Sequence, residues 1–375
     1  MELYLWRSIA WLSLTIWIYL FFFRGMFWKL NERLPRPNPE PAAKITIAAV
    51  IPARDEAEVI ALAVSSLRRQ EGHFRLHITV ADDESDDDTA GIAKQAGADT
   101  VIRVEPGPAA WKGKLRALQQ GLTAIPSDAE YILFTDADIA WSDPDLLARL
   151  LTQARQGFDL VTVMAHLRCQ STAEQLLIPA FVYFFFKLYP PTWVHNLPGV
   201  AAAAGGCMLL RRSTFEKLGG IESYRDTLID DCALARRVKE VGGRIWLGLS
   251  DGGIHSTRGY DNSAVIRSMI ARSAFAQLDH SALLLLGTLA GMFLTYLVPL
   301  WFLATPDPLV GIPSLAAWLL SAIMFLPAAK TFKAPKWTCL VVPFIAAFYV
   351  LATVESALNY WRGKGGVWKG RVQDP

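Results

Sequence analysis

The sequence is poor in cysteine, and its four cysteines are scattered without any Cys-x-x-Cys pair. A disulfide framework and a structural zinc site both need cysteines at paired spacings, so the sequence argues against both. Isolated thiols are usual in a reducing compartment. We therefore expect the soluble part of the chain to lie in the cytoplasm.

The chain also carries little net charge, because 37 Lys and Arg residues nearly balance 35 Asp and Glu residues. A nucleic-acid-binding protein usually has a marked excess or a concentrated patch of positive charge. The balance observed here indicates an ordinary mixed surface. We expect no nucleic-acid partner.

Apolar residues, in contrast, make up 52% of the chain and are concentrated at its two ends. The segment 3–23 has the length of about 20 residues that a helix needs to cross a bilayer. Three more apolar segments follow residue 279, at 281–304, 309–327 and 338–358. A cleaved signal peptide is the alternative for the first segment, but no small-x-small cleavage site ends it. The pattern predicts membrane segments around a soluble middle.

Basic residues give the expected orientation of these segments. Four of them follow the first segment directly: Arg24, Lys29, Arg33 and Arg36. By the positive-inside rule, the soluble middle is then cytoplasmic. The basic tail after residue 361 should also lie inside, but three full C-terminal spans would place it outside. A segment that does not cross, or a tail that breaks the rule, would resolve this conflict, and the sequence leaves both open.

The soluble middle alternates short apolar runs with helical patterns. Such alternation implies βαβ units and a mostly parallel sheet, in which ligands bind at the carboxyl ends of the strands. The predicted strands are 45–51, 76–81, 100–104 and 131–135, and the predicted helices are 57–70, 89–96 and 115–122.

A short aromatic segment, 176–186, interrupts the soluble middle. At about 11 residues it is too short to span a bilayer. We favour a helix at the membrane surface, and a buried helix is the alternative. The predicted organisation is an N-terminal transmembrane anchor (1–24), a proline-rich linker (25–43), a catalytic domain (44–278, with the interfacial helix at 176–194), C-terminal membrane helices (279–360) and a basic tail (361–375).

Acidic residues are concentrated at three places, and two of these places follow predicted strands. Six acids occur within 82–89, where Asp82 and Asp83 end a strand of the buried type. Acids at the start of a helix are a simpler explanation for the later members of this cluster, because they complement the helix dipole. The spacing does not follow the EF-hand pattern.

The second acidic site is Asp136-Ala137-Asp138, directly after the apolar run 131–134. Two carboxylates two residues apart at a strand end can face one ligand. Oxygen ligands and bridging phosphates are what Mg²⁺ and Mn²⁺ prefer. The third site is Asp230-Asp231, which opens a helical pattern, so a helix cap is an alternative role for it.

Three acidic sites in this order, with Lys112 and Lys114 between the first two, resemble those of the family 2 glycosyltransferases, which have the GT-A fold. The resemblance covers roughly residues 45–275. The matching pieces are the turn 53–56 (Ala-Arg-Asp-Glu, with Asp55 where the family has Asn), the Asp-Asp-x-Ser-x-Asp-x-Thr element at 82–89, the Asp-x-Asp metal motif at 136–138, the stretch 205–212 before the acceptor site, and the acidic pair Asp230-Asp231 with Asp for Glu.

This resemblance implies an α/β, Rossmann-like GT-A domain flanked by transmembrane helices, and an inverting reaction with a nucleotide-sugar, UDP-linked by default. It implies Mg²⁺ or Mn²⁺ as cofactor. The implied roles are Asp231 as general base, with Asp230 as second choice; Ala53, Arg54, Glu56, Asp82, Asp83, Lys112, Lys114 and Arg272 in binding the nucleotide-sugar; Asp136, Asp138 and His255 in binding the metal; and Gly205, Gly206, Trp368 and Arg371 on the acceptor side.

Several of these roles have simpler alternatives. The two lysines could be an ordinary helix start, and His255 a plain loop histidine. The basic tail could anchor the chain to anionic headgroups. Nevertheless, its Gly-Gly-Val-Trp-Lys-Gly-Arg sequence at 365–371 narrows the similarity to bacterial hopanoid-associated membrane glycosyltransferases, which implies a multi-pass protein of the bacterial inner membrane.

The layout implies a membrane lipid as the acceptor, because a cleft beside membrane helices can admit a hydrophobic tail. A hopanoid is the first candidate, and polyprenyl phosphate or ceramide is the alternative. The Gln/Arg-x-x-Arg-Trp motif of ceramide-type enzymes is incomplete, since only Arg272 has a counterpart in it. A metal-dependent nucleotidyltransferase is the alternative of another class, but the turn 53–56 contains no glycine for a phosphate loop.

Overall fold

The computed structural model describes residues 2–37, 44–107, 111, 113–368 and 371–374, with backbone alone for the strands after residue 365. Lys112 and Lys369 lie outside the described residues. The chain forms an α/β domain and a set of long apolar helices contributed by both of its ends.

A seven-stranded sheet forms the centre of the α/β domain, in the order β3-β2-β1-β4-β7-β6-β8. Its neighbours pair in parallel except β7, which is antiparallel to both β4 and β6. A small antiparallel pair, β5 with β9, lies beside it. The strands are β1 Ile45–Ala53, β2 Phe74–Asp82, β3 Thr100–Arg103, β4 Tyr131–Phe134, β5 Ile139–Trp141, β6 Leu160–Met164, β7 Met208–Arg211, β8 Ile245–Leu249, β9 Ile254–Ser256, β10 Gly365–Trp368 and β11 Arg371–Asp374.

Strand β1 is buried along its whole length, as expected for a central strand that is covered on both faces. Its side chains alternate between two cores. Ile47 and Ile51 belong to one, and Val50 belongs to the other. The strand also continues through Pro52, where the sequence predicted its end. Pro52 lies beyond the last residue that pairs with β4, so its missing N–H costs no ladder bond on that side.

Helices cover both faces of the sheet. Those after β1 and before β6 pack on one face, and those before β4 and around β7 pack on the other. The helices of this domain are α2 Ile60–Arg68, α3 Thr89–Gln95, α4 Gly113–Gly121, α5 Leu146–Arg155, α6 Thr172–Leu188, α7 Pro191–Asn196, α8 Arg212–Lys217, α9 Asp230–Glu240 and α10 Ser263–Ala271.

Four helices are long and apolar enough to cross a membrane, in agreement with the four predicted segments. One is N-terminal and three are C-terminal, and the first of these three contains a short π-helical stretch at Phe293–Leu297. They are α1 Glu2–Phe22, the continuous helix Ala282–Phe302 (α11 Ala282–Met292 and α12 Val298–Phe302), α13 Pro308–Thr331 and α14 Val342–Trp361.

The aromatic helix α6 is longer than predicted and does not lie free at a surface. A capping box of Ser171 and Glu174 fixes its start. Its residue Tyr183 packs edge-on against Phe325 of α13, and Tyr349 of α14 donates a hydrogen bond to the carbonyl of Leu177 (2.8 Å). The helix therefore packs between the α/β domain and the apolar helices, and its position at the membrane surface stays a prediction.

The first part of the connection between α1 and β1 contacts the α/β domain. Leu30 and Leu34 are buried, and the amide of Leu249 in β8 donates to the carbonyl of Glu32 (3.0 Å). Arg149 of α5 donates to the carbonyls of Leu34 and Pro35 (both 3.1 Å). Residues 30–35 are thus bound along the domain. Residues 38–43 of the predicted linker lie outside the described residues.

Candidate active site

The acidic residues meet at one edge of the sheet. β1, β2 and β4 are parallel and end there, so the residues that follow them meet. β7 is antiparallel, so its beginning lies at the same edge and brings Gly205 and Gly206 with it. The start of α9 adds Asp230 and Asp231. A cavity of about 700 Å³ opens at this edge, and Asp136, Asp138, Asp230 and Asp231 all line it.

Asp138 is held in place by the small sheet of β5 and β9. Its backbone carbonyl accepts bonds from the amide (2.8 Å) and the hydroxyl (3.0 Å) of Thr257, and its carboxylate accepts one from Ser256 (2.9 Å). The Nε atom of Arg258 lies 3.4 Å from the same carboxylate, and Arg258 also pairs with Glu56 (3.4 Å). Asp138 therefore has a fixed orientation toward the cavity.

Lys114 joins the second acidic site to the third. Its Nζ lies 2.9 Å from Asp136 and 3.0 Å from Asp230. Burial lowers the pKa of Lys114, but the two carboxylates outweigh burial and raise it well above the usual range, so the ammonium stays charged. Burial raises the pKa of Asp136, and the carboxylates of Asp138 and Asp230 raise it further, against the opposing effect of Lys114. The site thus concentrates negative charge that one lysine only partly offsets.

Asp231 is placed differently from its neighbour Asp230. Its carboxylate accepts hydrogen bonds from the amides of Gly205 (2.9 Å) and Cys232 (2.7 Å). Burial, followed by the nearby charge of Asp230, raises the pKa of Asp231 to about 6. A Cβ atom on Gly205 would lie only 3.2 Å from this carboxylate, so glycine allows the close approach. Asp231 can therefore exchange a proton near neutral pH.

The residues that follow β1 and β2 form a second part of this sheet edge, where two arginine side chains bond to Asp83. Asp83 is fully buried, and its carboxylate accepts a bond from Arg116 (2.5 Å). Arg54 donates to the backbone carbonyl of Asp83 (2.7 Å), and the amide of Asp83 donates to the carbonyl of Ala53 (2.8 Å). Asp82 accepts a hydrogen bond from Ser85. These bonds hold Asp83 between the end of β1 and α4.

The structure does not bring His255 to the metal pair. Side chains alternate along a strand. Ser256 faces Asp138, so His255 faces the opposite way, where its Nδ1 lies 2.9 Å from the hydroxyl of Ser142. It lines a separate, smaller pocket. We therefore leave His255 out of the proposed metal site.

The remaining predicted site residues fall into two groups. Glu56, Gly205, Gly206 and Arg272 line the cavity together with the acids. Lys112 lies outside the described residues, as do the side chains of Trp368 and Arg371 in the C-terminal hairpin of β10 and β11.

Sequence reasoning missed two arginines at this site, Arg116 and Arg258. Arg116 follows Lys114 by two residues on α4, so its basic neighbourhood was a usable signal. Arg258 lies in a loop about 120 residues after Asp138, and nothing in its local sequence indicates that the two meet.

The donor set suits a hard divalent cation. Asp136 and Asp138 offer carboxylate oxygens in a region of excess negative charge, and Mg²⁺ and Mn²⁺ prefer such ligands. Within the described part of the chain, no three His, Cys, Asp or Glu side chains form a ready-made metal cluster. A metal here would therefore take its other ligands from water or from a bound diphosphate.

We expect Lys114→Met to lower both stability and activity, because two carboxylates would lose their shared cation. The free energy of unfolding should fall by about 1–3 kcal/mol, the range for a partly buried charged hydrogen bond. Thermal melting with and without Mn²⁺ should show a larger Mn²⁺-dependent rise in Tm for the variant than for the wild type. The exposed Lys94→Met variant is the control, and equal Mn²⁺ effects on Lys114→Met and wild type would contradict this role.

The structure combines a mostly parallel sheet covered by helices, three acidic sites at one edge of that sheet, and four candidate membrane spans. This is the arrangement of a GT-A domain with membrane helices. Residues 48–219 match the family model described as Glycosyl transferase family 2. The chain therefore contains a family 2 glycosyltransferase domain, as the resemblance in the sequence predicted.

Two curated relatives share part of the chain. A 4,4'-diaponeurosporenoate glycosyltransferase from Staphylococcus aureus (strain bovine RF122 / ET3-1) is 32% identical over 108 residues, which are 29% of this chain and 28% of the relative. The protein of the same name from strain MRSA252 is 33% identical over 104 residues, 28% of this chain and 27% of the relative. The chain thus spans less than a third of the length of these relatives.

A solved structure shares the fold over nearly the whole chain. The mannosyltransferase PcManGT from Pyrobaculum calidifontis, in complex with GDP-Man and Mn²⁺, is 19% identical with a TM-score of 0.56. The likeness covers 94% of this chain and 99% of that chain. The predicted GT-A fold, with a mostly parallel sheet flanked by apolar helices, is confirmed.

Proposed function

We propose that this protein transfers a sugar from a nucleotide-sugar to a lipid in the membrane. One observation carries this proposal. The cavity that contains the four site aspartates is also lined by apolar side chains from α6 and from the candidate membrane spans, among them Leu20, Phe181, Leu289, Met292 and Val350. A single space thus offers charged groups to a nucleotide-sugar and an apolar wall to a lipid.

The donor would bind over the ends of β1, β2 and β4. Asp83, fixed by Arg54 and Arg116, would accept hydrogen bonds from the nucleotide, with Asp82 and Ala53 beside it. Asp136 and Asp138 would hold Mg²⁺ or Mn²⁺, which neutralises the charge of a departing diphosphate. Lys114 and Arg258 lie next to these carboxylates and add positive charge for the phosphates or the sugar. A UDP-linked donor is the default, and the GDP-Man bound to PcManGT makes a GDP-linked donor the alternative.

The acceptor would be activated by Asp231. Lys114 contacts Asp230 and keeps it engaged as an ion pair, whereas Asp231 is bound by backbone amides. Asp231 is mostly ionised at pH 7, since its pKa is about 6. It can therefore take the proton of an acceptor hydroxyl as the hydroxyl attacks the sugar, in a single inverting displacement. Gly205 would leave room for the acceptor next to this carboxylate.

The lipid acceptor is supported by the apolar cavity wall and by the S. aureus relatives, which are named for a lipid-like acceptor, diaponeurosporenoate. A hopanoid stays the first candidate from the sequence resemblance. A polyprenyl phosphate or ceramide is the alternative. The protein would act at a bacterial inner membrane, with its catalytic domain on the cytoplasmic side.

The purified full chain, incubated with a panel of radiolabelled nucleotide-sugars and total membrane lipid, tests this function. We expect label to enter the organic-soluble fraction with one donor, and only when Mg²⁺ or Mn²⁺ is present. The Asp138→Asn protein serves as the negative control. Transfer to soluble acceptors alone would contradict the lipid acceptor, and nucleotide transfer instead of sugar transfer would favour a nucleotidyltransferase.

A further inference from the structure

A lysine in the cavity wall has no part in the mechanism so far. Lys187 lies near the end of α6, and the cavity that holds the site aspartates is lined by it and by Arg24. Its Nζ donates to the hydroxyl of Tyr296 (3.3 Å) and lies over the rings of Tyr296 (4.8 Å) and Trp17 (5.5 Å). The amine thus sits among aromatic side chains of the candidate membrane spans.

The positive charge at this place is not matched by a carboxylate. In the part of the chain that the structure describes, no Asp or Glu forms an ion pair with Lys187 or with Arg24. Arg24 donates to the carbonyls of Lys187 (3.2 Å) and Leu188 (3.3 Å) and stacks on Trp193 (4.6 Å). A guanidinium has five N–H donors, so these two bonds leave others for a ligand.

Burying a lysine without a carboxylate partner among apolar side chains costs free energy, because the ammonium group loses its hydration. Burial, followed by the charge of Arg24, lowers the pKa of Lys187 to about 7. An anion beside the amine would favour the ammonium form and offset the cost of burial. The wall therefore favours a ligand with an oxyanion over a neutral one.

Lys187 lies close to the C-terminal end of α1. Trp17, whose ring the amine overlies, is five residues before that end, or roughly 7–8 Å along the helix. Arg24 follows the end of α1 and donates to the carbonyls of Lys187 and Leu188. An oxyanion that contacts Arg24 at this end can therefore also be reached by the long, flexible side chain of Lys187.

We propose that Lys187 and Arg24 bind an oxyanion, a phosphate or carboxylate, on the lipid acceptor. The acceptor is then an acidic amphiphile rather than a neutral alcohol. Of the three candidates named above, this favours a polyprenyl phosphate over ceramide and over a hopanoid, which is a neutral sterol-like lipid. This inference rests on the proposed function, and it deepens that function by giving the acceptor its charge.

The test measures lipid binding by the full chain in detergent, with a radiolabelled polyprenyl phosphate and the polyprenol of the same length, and with a long-chain fatty acid and its alcohol. We expect wild type to bind at least one acid about tenfold or more tightly than the matched alcohol, as a charge-assisted hydrogen bond allows. Lys187→Met should bring this ratio close to one. Lys187→Arg should retain most of it, and the exposed Lys94→Met should leave it unchanged.

Equal binding of acid and alcohol by wild type in both pairs would overturn the proposal, and so would a Lys187→Met protein that folds and keeps the wild-type ratio. Because the first outcome depends on the wild-type ratio alone, the proposal stays testable even if a variant misfolds. Hydrolysis of nucleotide-sugar with Mn²⁺ and no lipid tests the proposed function separately. If the protein hydrolyses the nucleotide-sugar but binds each acid and its matched alcohol equally, only the proposal of an acidic acceptor is refuted.

Discussion

Asp231→Asn should reduce sugar transfer by about 10³-fold in kcat, within the usual range for the loss of a general base. The amide has nearly the shape of the carboxylate, but it cannot take a proton from the acceptor. The KM for the nucleotide-sugar should stay close to the wild-type value, because Asp231 bonds to Gly205 and Cys232 rather than to the residues around Asp83. Steady-state kinetics with a radiolabelled donor measures both parameters.

The pH dependence of kcat gives a second readout for the same role. Asp231 has a pKa of about 6, so it is protonated and inactive as a base below that pH. Transfer by the wild type should therefore fall as the pH drops through about 6 and level off above it. The residual activity of Asp231→Asn should lack this acid limb.

The matched control is Asp226→Asn, an exposed aspartate five residues upstream, which should keep wild-type kinetics. An Asp231→Asn protein with more than a tenth of the wild-type kcat would rule out this base. Asp230→Asn would then be the next variant to measure. Because Lys114 pairs with Asp230, that variant is expected to lose stability as well as activity.

Asp138→Asn should lower transfer by at least about 100-fold and raise the Mn²⁺ concentration needed for half-maximal activity. The substitution removes one negative charge from the proposed metal pair. It also weakens the contact with Arg258, which would retain Glu56 as its partner. Activity measured against increasing Mn²⁺ and Mg²⁺ gives the two effects separately.

The control for this prediction is Asp145→Asn, since Asp145 is exposed and lies seven residues further along the chain. It should leave the metal dependence unchanged. If Asp138→Asn kept full activity with the donor that the wild type uses, Asp138 would have no role in metal binding. If only the maximal rate fell and the metal dependence did not, the residue would act through Arg258 instead.

The sequence predicted the first four strands because each is an apolar run bounded by polar turns, and β1 to β4 lie within three residues of the predicted positions. It did not predict β5 to β9. These strands have three to five residues, and a run of this length carries little pattern, so it can be missed even though β3 and β4, with four residues each, were found. The reversed direction of β7 also had no signal, since direction is decided by pairing with β4 and β6.

The sequence predicted those site residues whose location follows from their position directly after a strand. Asp82 and Asp136 follow strands, and parallel strands carry such residues to one edge. The contact of Lys114 with both Asp136 and Asp230 depends on how α4 and α9 pack, which no spacing reveals. The prediction for His255 failed for a related reason, since neighbouring residues of a strand face opposite sides of the sheet. Ser256 faces Asp138, so His255 faces away from it.

The binding of residues 30–35 along the domain has a consequence for how acceptors are found. A catalytic domain on a loose tether could tilt, rise and sample the cytosol. Here the carbonyl of Glu32 accepts a bond from β8, and α5 donates to the carbonyls of Leu34 and Pro35, so the segment that follows α1 is tied to the domain. With α1 in a bilayer and a lipid as the acceptor, as we propose, the mouth of the cavity would stay next to the membrane surface. Encounters with the acceptor would then be a search in two dimensions, governed by the surface density of the lipid and its lateral diffusion rather than by its concentration in bulk solution.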